Sequence, residues 1–166
     1  MAERRTETYS VEFHRDPLTD EIKREVWFDP KTGKAHRPNG PAEVDFYEWE
    51  GRRCRSETFY NQGTIYREGD LPSMVVVDEE TGTAVLQEWS DDGSPCRLGG
   101  KPAIILTDVS TGVVEREEYW EHGDRHRADG PAYIERNPKT GAILTESFYD
   151  RGEEVDPTAR PPPSPS

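Results

Sequence analysis

Hydrophobic and polar positions alternate along this chain in short runs that are interrupted every few residues by Gly, Pro, Asn or Asp. Val44 follows Ala42 by two positions, and the same step from a small residue to an aliphatic one returns as Ser73/Val75, Ala103/Ile105 and Ala132/Ile134. Side chains two apart lie on one side of a strand, so each step predicts a strand with one face turned inward. The following run closes with a Glu or Gln two positions ahead of an aromatic: Glu57/Phe59, Gln87/Trp89, Glu117/Tyr119 and Glu146/Phe148. Between the runs stand Asp78-Glu-Glu-Thr-Gly82, Asp108-Val-Ser-Thr-Gly112 and Asn137-Pro-Lys-Thr-Gly141. A leading Asp or Asn bonds the backbone ahead of it and a closing Gly accepts positive φ, which is hairpin chemistry. No window sustains the 3.6-residue apolar period of an amphipathic helix.

The hairpins repeat. Arg37, Arg67, Arg97 and Arg127 recur with a period of 30 residues, and Gly33, Gly63, Gly93 and Gly123 keep it. Each Arg opens a turn that ends on a Pro: His36-Arg37-Pro38-Asn39-Gly40-Pro41-Ala42 returns as His126-Arg127-Ala128-Asp129-Gly130-Pro131-Ala132. Degenerate copies run from Tyr66 to Ser73 and from Cys96 to Ala103. Near the N-terminus, Asp16-Pro17-Leu18-Thr19-Asp20 matches the Asp-led turn, while Glu25 and Trp27 match the Glu and aromatic positions. The reading is an all-β chain: an elongated, twisted antiparallel meander of tandem β-hairpin repeats over residues 8–155, with little or no helix. Curling into a closed barrel is the alternative, since about ten strands suffice to remove the edges. Residues 1–7 and the Pro-rich stretch 156–166 lack apolar patterning and are expected to be disordered.

Within the hairpins, Tyr60-Asn-Gln-Gly63, Trp120-Glu-His-Gly123 and Tyr149-Asp-Arg-Gly152 resemble the aromatic-x-x-Gly core of variant MORN repeats. The two full His-Arg-x-x-Gly-Pro-Ala copies look like units of bacterial and viral repeat proteins of that kind. The likeness spans about residues 8–155, although this unit is longer than the usual MORN repeat. It implies an open sheet of successive hairpins and a binding role, in some bacterial members that of an antitoxin or immunity protein.

Charge narrows the function. With 34 acidic and 21 basic residues the net charge is −13, which repels phosphate backbones and anionic lipid and attracts basic protein surfaces. Neither nucleic acid nor membrane is therefore an expected direct partner. The start, Met-Ala-Glu-Arg-Arg-Thr-Glu, carries no apolar signal region, and no stretch approaches the ~18 apolar residues of a membrane span; a cytoplasmic location is expected, bacterial or in the host of a phage. Cys54 and Cys96 have neither CxxC spacing nor a third cysteine, which predicts reduced, structural thiols and no zinc site.

Candidate catalytic groups each have a simpler reading. His14-Arg15-Asp16 imitates the start of a kinase catalytic loop, but the continuation and the Gly-rich loop are missing, and Asp16 is better placed as a turn residue equivalent to Asn137. His122 and His126 are spaced as a helical metal pair yet fall in a turn, where Tyr66 and Cys96 replace His126 in other copies. The Arg ladder is expected to hold repeats in register, each guanidinium on a carboxylate or on turn carbonyls of a neighbouring repeat. No cofactor, metal or catalytic residue is expected. Function is assigned instead to irregular acidic and aromatic positions: Glu48, Trp49, Glu50, Asp78, Glu79, Glu80, Trp89, Asp91, Asp92, Glu115, Glu117, Glu118, Trp120 and Glu121. They would meet a basic partner, a nuclease, toxin or defence-system protein, with carboxylates steering the encounter and aromatics anchoring it. The rival reading is a repeat scaffold whose acidity serves solubility and whose Pro-rich tail is presented to a polyproline-binding domain.

Overall fold

The computed structural model describes residues 8–156 and Thr158; the expectations for residues 1–7 and for most of the Pro-rich tail lie outside the described residues. Eighteen strands follow in chain order: β1 (Ser10–Arg15), β2 (Ile22–Phe28), β3 (Glu43–Trp49), β4 (Arg52–Thr58), β5 (Tyr60–Asn61), β6 (Thr64–Ile65), β7 (Met74–Asp78), β8 (Ala84–Glu88) and β9 (Ser90–Asp91). The second half contains β10 (Ser94–Pro95), β11 (Ile104–Thr107), β12 (Val114–Glu118), β13 (Trp120–Glu121), β14 (Asp124–Arg125), β15 (Tyr133–Arg136), β16 (Ile143–Ser147), β17 (Tyr149–Asp150) and β18 (Glu153–Glu154). The ten longer strands make one antiparallel sheet in the order β1-β2-β3-β4-β7-β8-β11-β12-β15-β16. The meander is open and does not close into a barrel, since β1 and β16 are its two edges. At about 4.8 Å per strand it extends on the order of 40 Å across strands only four to seven residues long, so the body is elongated.

Two patterns read separately from the sequence turn out to be one. Directly paired residues share a face, and the pairing joins Phe13, Glu25, Val44, Glu57, Val75, Gln87, Ile105, Glu117, Ile134 and Glu146 into a single transverse row. Odd strands contribute the apolar member and even strands the polar one throughout.

At one end of the strands each repeat closes with the same clasp. The small residues are among the most deeply buried positions, with Ala42, Ala103 and Ala132 at 0% and Ser73 at 1% exposure. Their carbonyls accept the N–H groups of Trp27, Phe59, Trp89 and Tyr119, and so carry the ladder across the Arg-to-Pro turn. Onto each aromatic ring folds the Arg that follows it: Arg37 over Trp27 at 4.0 Å, Arg67 over Phe59 at 3.7 Å, Arg97 over Trp89 at 3.7 Å and Arg127 over Tyr119 at 4.0 Å. The same four guanidinium groups donate to the carbonyls of Pro41, Pro72, Pro102 and Pro131, 3.1–3.4 Å away. The Arg ladder therefore grips its own turn and the preceding ring instead of a neighbouring repeat's turn; Arg97 alone also reaches an adjacent turn, through Asp70 at 2.7 Å. A Cβ at Gly40 would lie 3.1 Å from the Arg37 side chain, and one at Gly130 would lie 3.2 Å from that of Arg127, which explains the Gly ahead of Pro in the two full copies.

Beyond the clasps project the short hairpins, whose two-residue turns have positive φ at both positions: Gln62/Gly63, Asp92/Gly93, His122/Gly123 and Arg151/Gly152. This is the type I′ geometry that matches strand twist, and it places the aromatic-x-x-Gly motif. Successive hairpins touch, as Gly63 N–H donates to Ala35 O, Gly123 N–H to Pro95 O and Gly152 N–H to Arg125 O. His126 and Cys96 serve the same contact: Nδ1 of His126 lies 3.4 Å from the Arg151 N–H, and Sγ of Cys96 accepts from the His122 N–H at 3.4 Å. Gly33 is in phase with Gly63 but in a different turn, because its N–H closes on the Asp29 carbonyl.

At the opposite end of the strands lie the Asp-led turns. Asp16 Oδ1 accepts from Leu18 and Thr19, Asp78 and Asp108 Oδ1 from Thr81 and Thr111, and Asn137 Oδ1 from Lys139 and Thr140. One hairpin departs from the rule. The β3–β4 connection is a two-residue turn, Glu50/Gly51, with φ of 52° and 75°, and Cys54 rather than Arg52 pairs with Asp78, so this hairpin runs past its neighbours.

Candidate interaction surface

The sequence-derived acidic and aromatic residues divide between the two ends, separated by a five-residue strand, about 17 Å. Glu48, Trp49, Glu50, Asp78, Glu79, Glu80 and Glu115 belong to the turn end, whereas Trp89, Asp91, Asp92, Glu117, Glu118, Trp120 and Glu121 belong to the clasp end.

Several are committed to the fold. Asp78 is fully buried, and Arg52 donates to it twice, Nε at 2.6 Å and Nη2 at 3.1 Å. Those bonds and the Thr81 hydroxyl hold its carboxyl well below the usual carboxylate range. Glu118, 7% exposed, accepts from Arg125 at 2.6 Å and from the Trp120 indole at 3.1 Å. Arg125 in turn stands over the rings of Trp120, Tyr133 and Tyr149. Trp89, 8% exposed, lies under Arg97. Asp78, Glu118 and Trp89 are thus withdrawn from the candidate surface, because a partner cannot reach them without opening the sheet. Glu117 pairs with Arg136 at 2.6 Å and Glu79 with Arg53 at 3.2 Å. Six others, Glu48, Glu50, Asp91, Asp92, Glu115 and Glu121, form no ion pair among the described residues.

The turn end gathers its residues into a shape. The overlong β3–β4 hairpin leans toward the β11–β12 turn and encloses a cavity of about 470 Å³ lined by Trp49, Glu50, Arg52, Leu106, Asp108 and Glu115, among others. Burial pushes the Glu115 carboxyl up from its ordinary value, and the nearby charges of Asp108 and Glu50 push it further. Arg52 is already engaged by Asp78 and lies 3.8 Å from Glu80. A carboxylate destabilised by burial and by like charges gains when a cation enters. Asp108, Arg52 and Leu106 were not among the residues singled out from the sequence. Glu50-Gly51, in the place where other repeats carry an Asp-to-Gly turn, is the signal that marks the protruding tip.

At the clasp end the free carboxylates Asp91 and Asp92 sit exposed on the tip of one short hairpin, with Asp92 held at φ 51° by the turn. Comparison with protein-family models, with curated proteins and with solved structures finds no match to this chain. Among the described residues no helix is long and apolar enough to cross a membrane.

Proposed function

We propose that this protein is a non-catalytic, acidic binding protein that occludes a basic surface on another protein, with the turn end as its contact. The observation that carries this reading is the cavity under the β3–β4 hairpin, where Glu50, Asp108 and Glu115 converge beside Trp49 and burial and the neighbouring charges raise the Glu115 carboxyl. A lysine or arginine side chain of a partner would relieve that repulsion and lie against an aromatic wall. Enzymes that handle nucleic acid present basic surfaces of this kind, so an immunity, antitoxin or anti-defence inhibitor that covers such a surface is the function the arrangement supports best. The likeness to variant MORN repeats supports the same reading. With a net charge of −13, association should be steered at long range and should slow as salt rises.

The test is capture on the immobilised full chain, in parallel with a Glu50→Lys/Glu115→Lys variant. The expected result is a basic protein that is held by the native chain, lost from the variant, eluted by salt and displaced by duplex DNA or RNA. Equal retention on both baits, or a bound protein indifferent to nucleic acid and salt, would overturn the reading.

A further inference from the structure

We infer that the two edges of the sheet are complementary and that a second copy of this chain adds head to tail, β16 of one copy pairing with β1 of the next. This goes beyond the proposed partner and does not depend on it. Three observations on the open meander lead there.

The first is strand direction. Ten strands alternate in direction from β1 to β16, so β16 is antiparallel to β1, and a following β1 continues the meander without reversing a strand. The second is the transverse row. It begins on Phe13 and ends on Glu146, with apolar members on odd strands and polar members on even ones. An incoming Phe13 opposite Glu146 extends the alternation, as Val44 does opposite Glu25 and Ile134 opposite Glu117. In that register Ser147 faces Glu12 and Thr145 faces His14, so no two like charges stand opposite each other.

The third observation is exposure. Phe13 is 51% exposed and Leu144 59% exposed, and they belong to opposite edges. Leu144 is the extra residue of a bulge in β16, skipped where the pairing steps from Glu135 with Thr145 to Arg136 with Ile143, and it stands at the trailing edge two residues along from Glu146. In the continued register the incoming Phe13 meets Glu146 beside this bulge, so the ring and Leu144 lie at the same joint. The same joint covers both apolar side chains and both rows of edge N–H and C=O groups, which an open edge otherwise presents to any strand. Symmetric pairing of β1 with β1 or of β16 with β16 breaks the row and covers only one of the two side chains. A head-to-tail contact of this kind is heterologous and does not close by itself, so it yields a series of lengths.

Charge sets the conditions. Two copies of net charge −13 repel each other, and raising salt from about 0.1 M to about 1 M shortens the range of that repulsion from about 10 Å to about 3 Å. Self-association should therefore grow with salt, opposite in sign to the capture of a basic partner.

Sedimentation velocity on the full chain, over a wide concentration range at low and high salt, tests the joint. The native chain is expected to give a concentration-dependent series that salt extends. Phe13→Glu spoils only the leading edge and Leu144→Glu only the trailing one, so each variant alone should be monomeric, while an equimolar mixture should form a one-to-one dimer and nothing larger. Circular dichroism spectra matching the native chain establish that each variant folds. A native chain that stays monomeric under all conditions, a mixture that stays monomeric, or a single variant that still dimerises would each overturn the proposal, the last by showing symmetric pairing.

Discussion

The two ends of the strands are built from the same repeat and have opposite characters. At the clasp end each aromatic is capped by the Arg that follows it, each Arg reaches a Pro carbonyl, and each small residue is sealed. The pattern varies little because every member is satisfied by the others. At the turn end one hairpin overruns its neighbours, bends over a cavity and brings the charges of Asp108 and Glu50 near Glu115, whose carboxyl is raised first by burial and then by those charges. Regularity in this protein marks what holds the sheet together, and the departure from it at the turn end is where the proposed partner contact is placed.

The largest effect expected is at the clasp. Trp89→Ala removes a nearly buried ring along with the platform for Arg97, and a loss of about 3–5 kcal/mol is expected for a truncation of this kind, read as a lower denaturation midpoint. Should Trp89→Ala melt with the native chain, the clasp does not hold the sheet.

Arg97→Ala should cost less, about 1–2 kcal/mol from the stacked cation, plus the bonds to Pro102 and Asp70. Arg97→Lys should recover little, because an ammonium lacks the planar fork that lies on an indole and reaches a carbonyl together. Full rescue by Lys would show that charge alone matters.

Asp78→Asn separates the turn from its ion pair. Asn137 performs the same turn chemistry in the last long hairpin, so the substitution should keep the turn bonds to Oδ1 but remove the ion pair with Arg52 and replace the Oδ2 acceptor of its Nε by an amide that only donates. The native carboxyl is held below its ordinary value, so its contribution is complete above the unfolded pKa, near 4, and is lost as pH falls below it. Thermal melts from pH 7 to pH 3 should fall more steeply for the native chain than for Asp78→Asn; parallel curves would remove Asp78 as the cause.

Smallest of all should be the stability change of Glu115→Gln, within about 0.5 kcal/mol and in the stabilising direction at neutral pH. Burial and like charge raise the native carboxyl, so the chain loses stability as pH rises through that raised value, and the amide escapes the loss. A clearly destabilised Glu115→Gln would mean that the carboxylate holds the fold.

Much of the sheet was legible in the sequence, because small, aliphatic, Glu and aromatic positions obey a period of two inside a strand and about 30 between repeats. The Asp-led turns were equally plain, since Asp16 and Asn137 do the same work 121 residues apart. The Arg ladder was seen, and Arg97 does pair with Asp70 of the adjacent turn, but the ring beneath each guanidinium was missed: Arg97 reaches back eight residues across a short hairpin to Trp89, a contact that no strand or helix period encodes. Gly33 kept the phase of Gly63 while closing an Asp-led turn, a reminder that a period fixes position and not backbone conformation. Asp78 was grouped with Glu79 and Glu80 as surface acid because its burial depends on Arg52, 26 residues earlier on the overlong hairpin. That hairpin was the hardest feature to foresee, being the place where the repeat is broken.

The most direct test of the division between the ends is the affinity of the captured basic partner for two variants of equal charge change. Glu50→Gln/Glu115→Gln alters the cavity at the turn end, and Asp91→Asn/Asp92→Asn alters the free carboxylates at the clasp end. Both should melt close to the native chain. Titration calorimetry should show the turn-end variant weakened by about tenfold or more, equivalent to about 1.4 kcal/mol, with the clasp-end variant near the native affinity. Equal weakening by both, or weakening by the clasp-end variant alone, would contradict the assignment of function to the turn end.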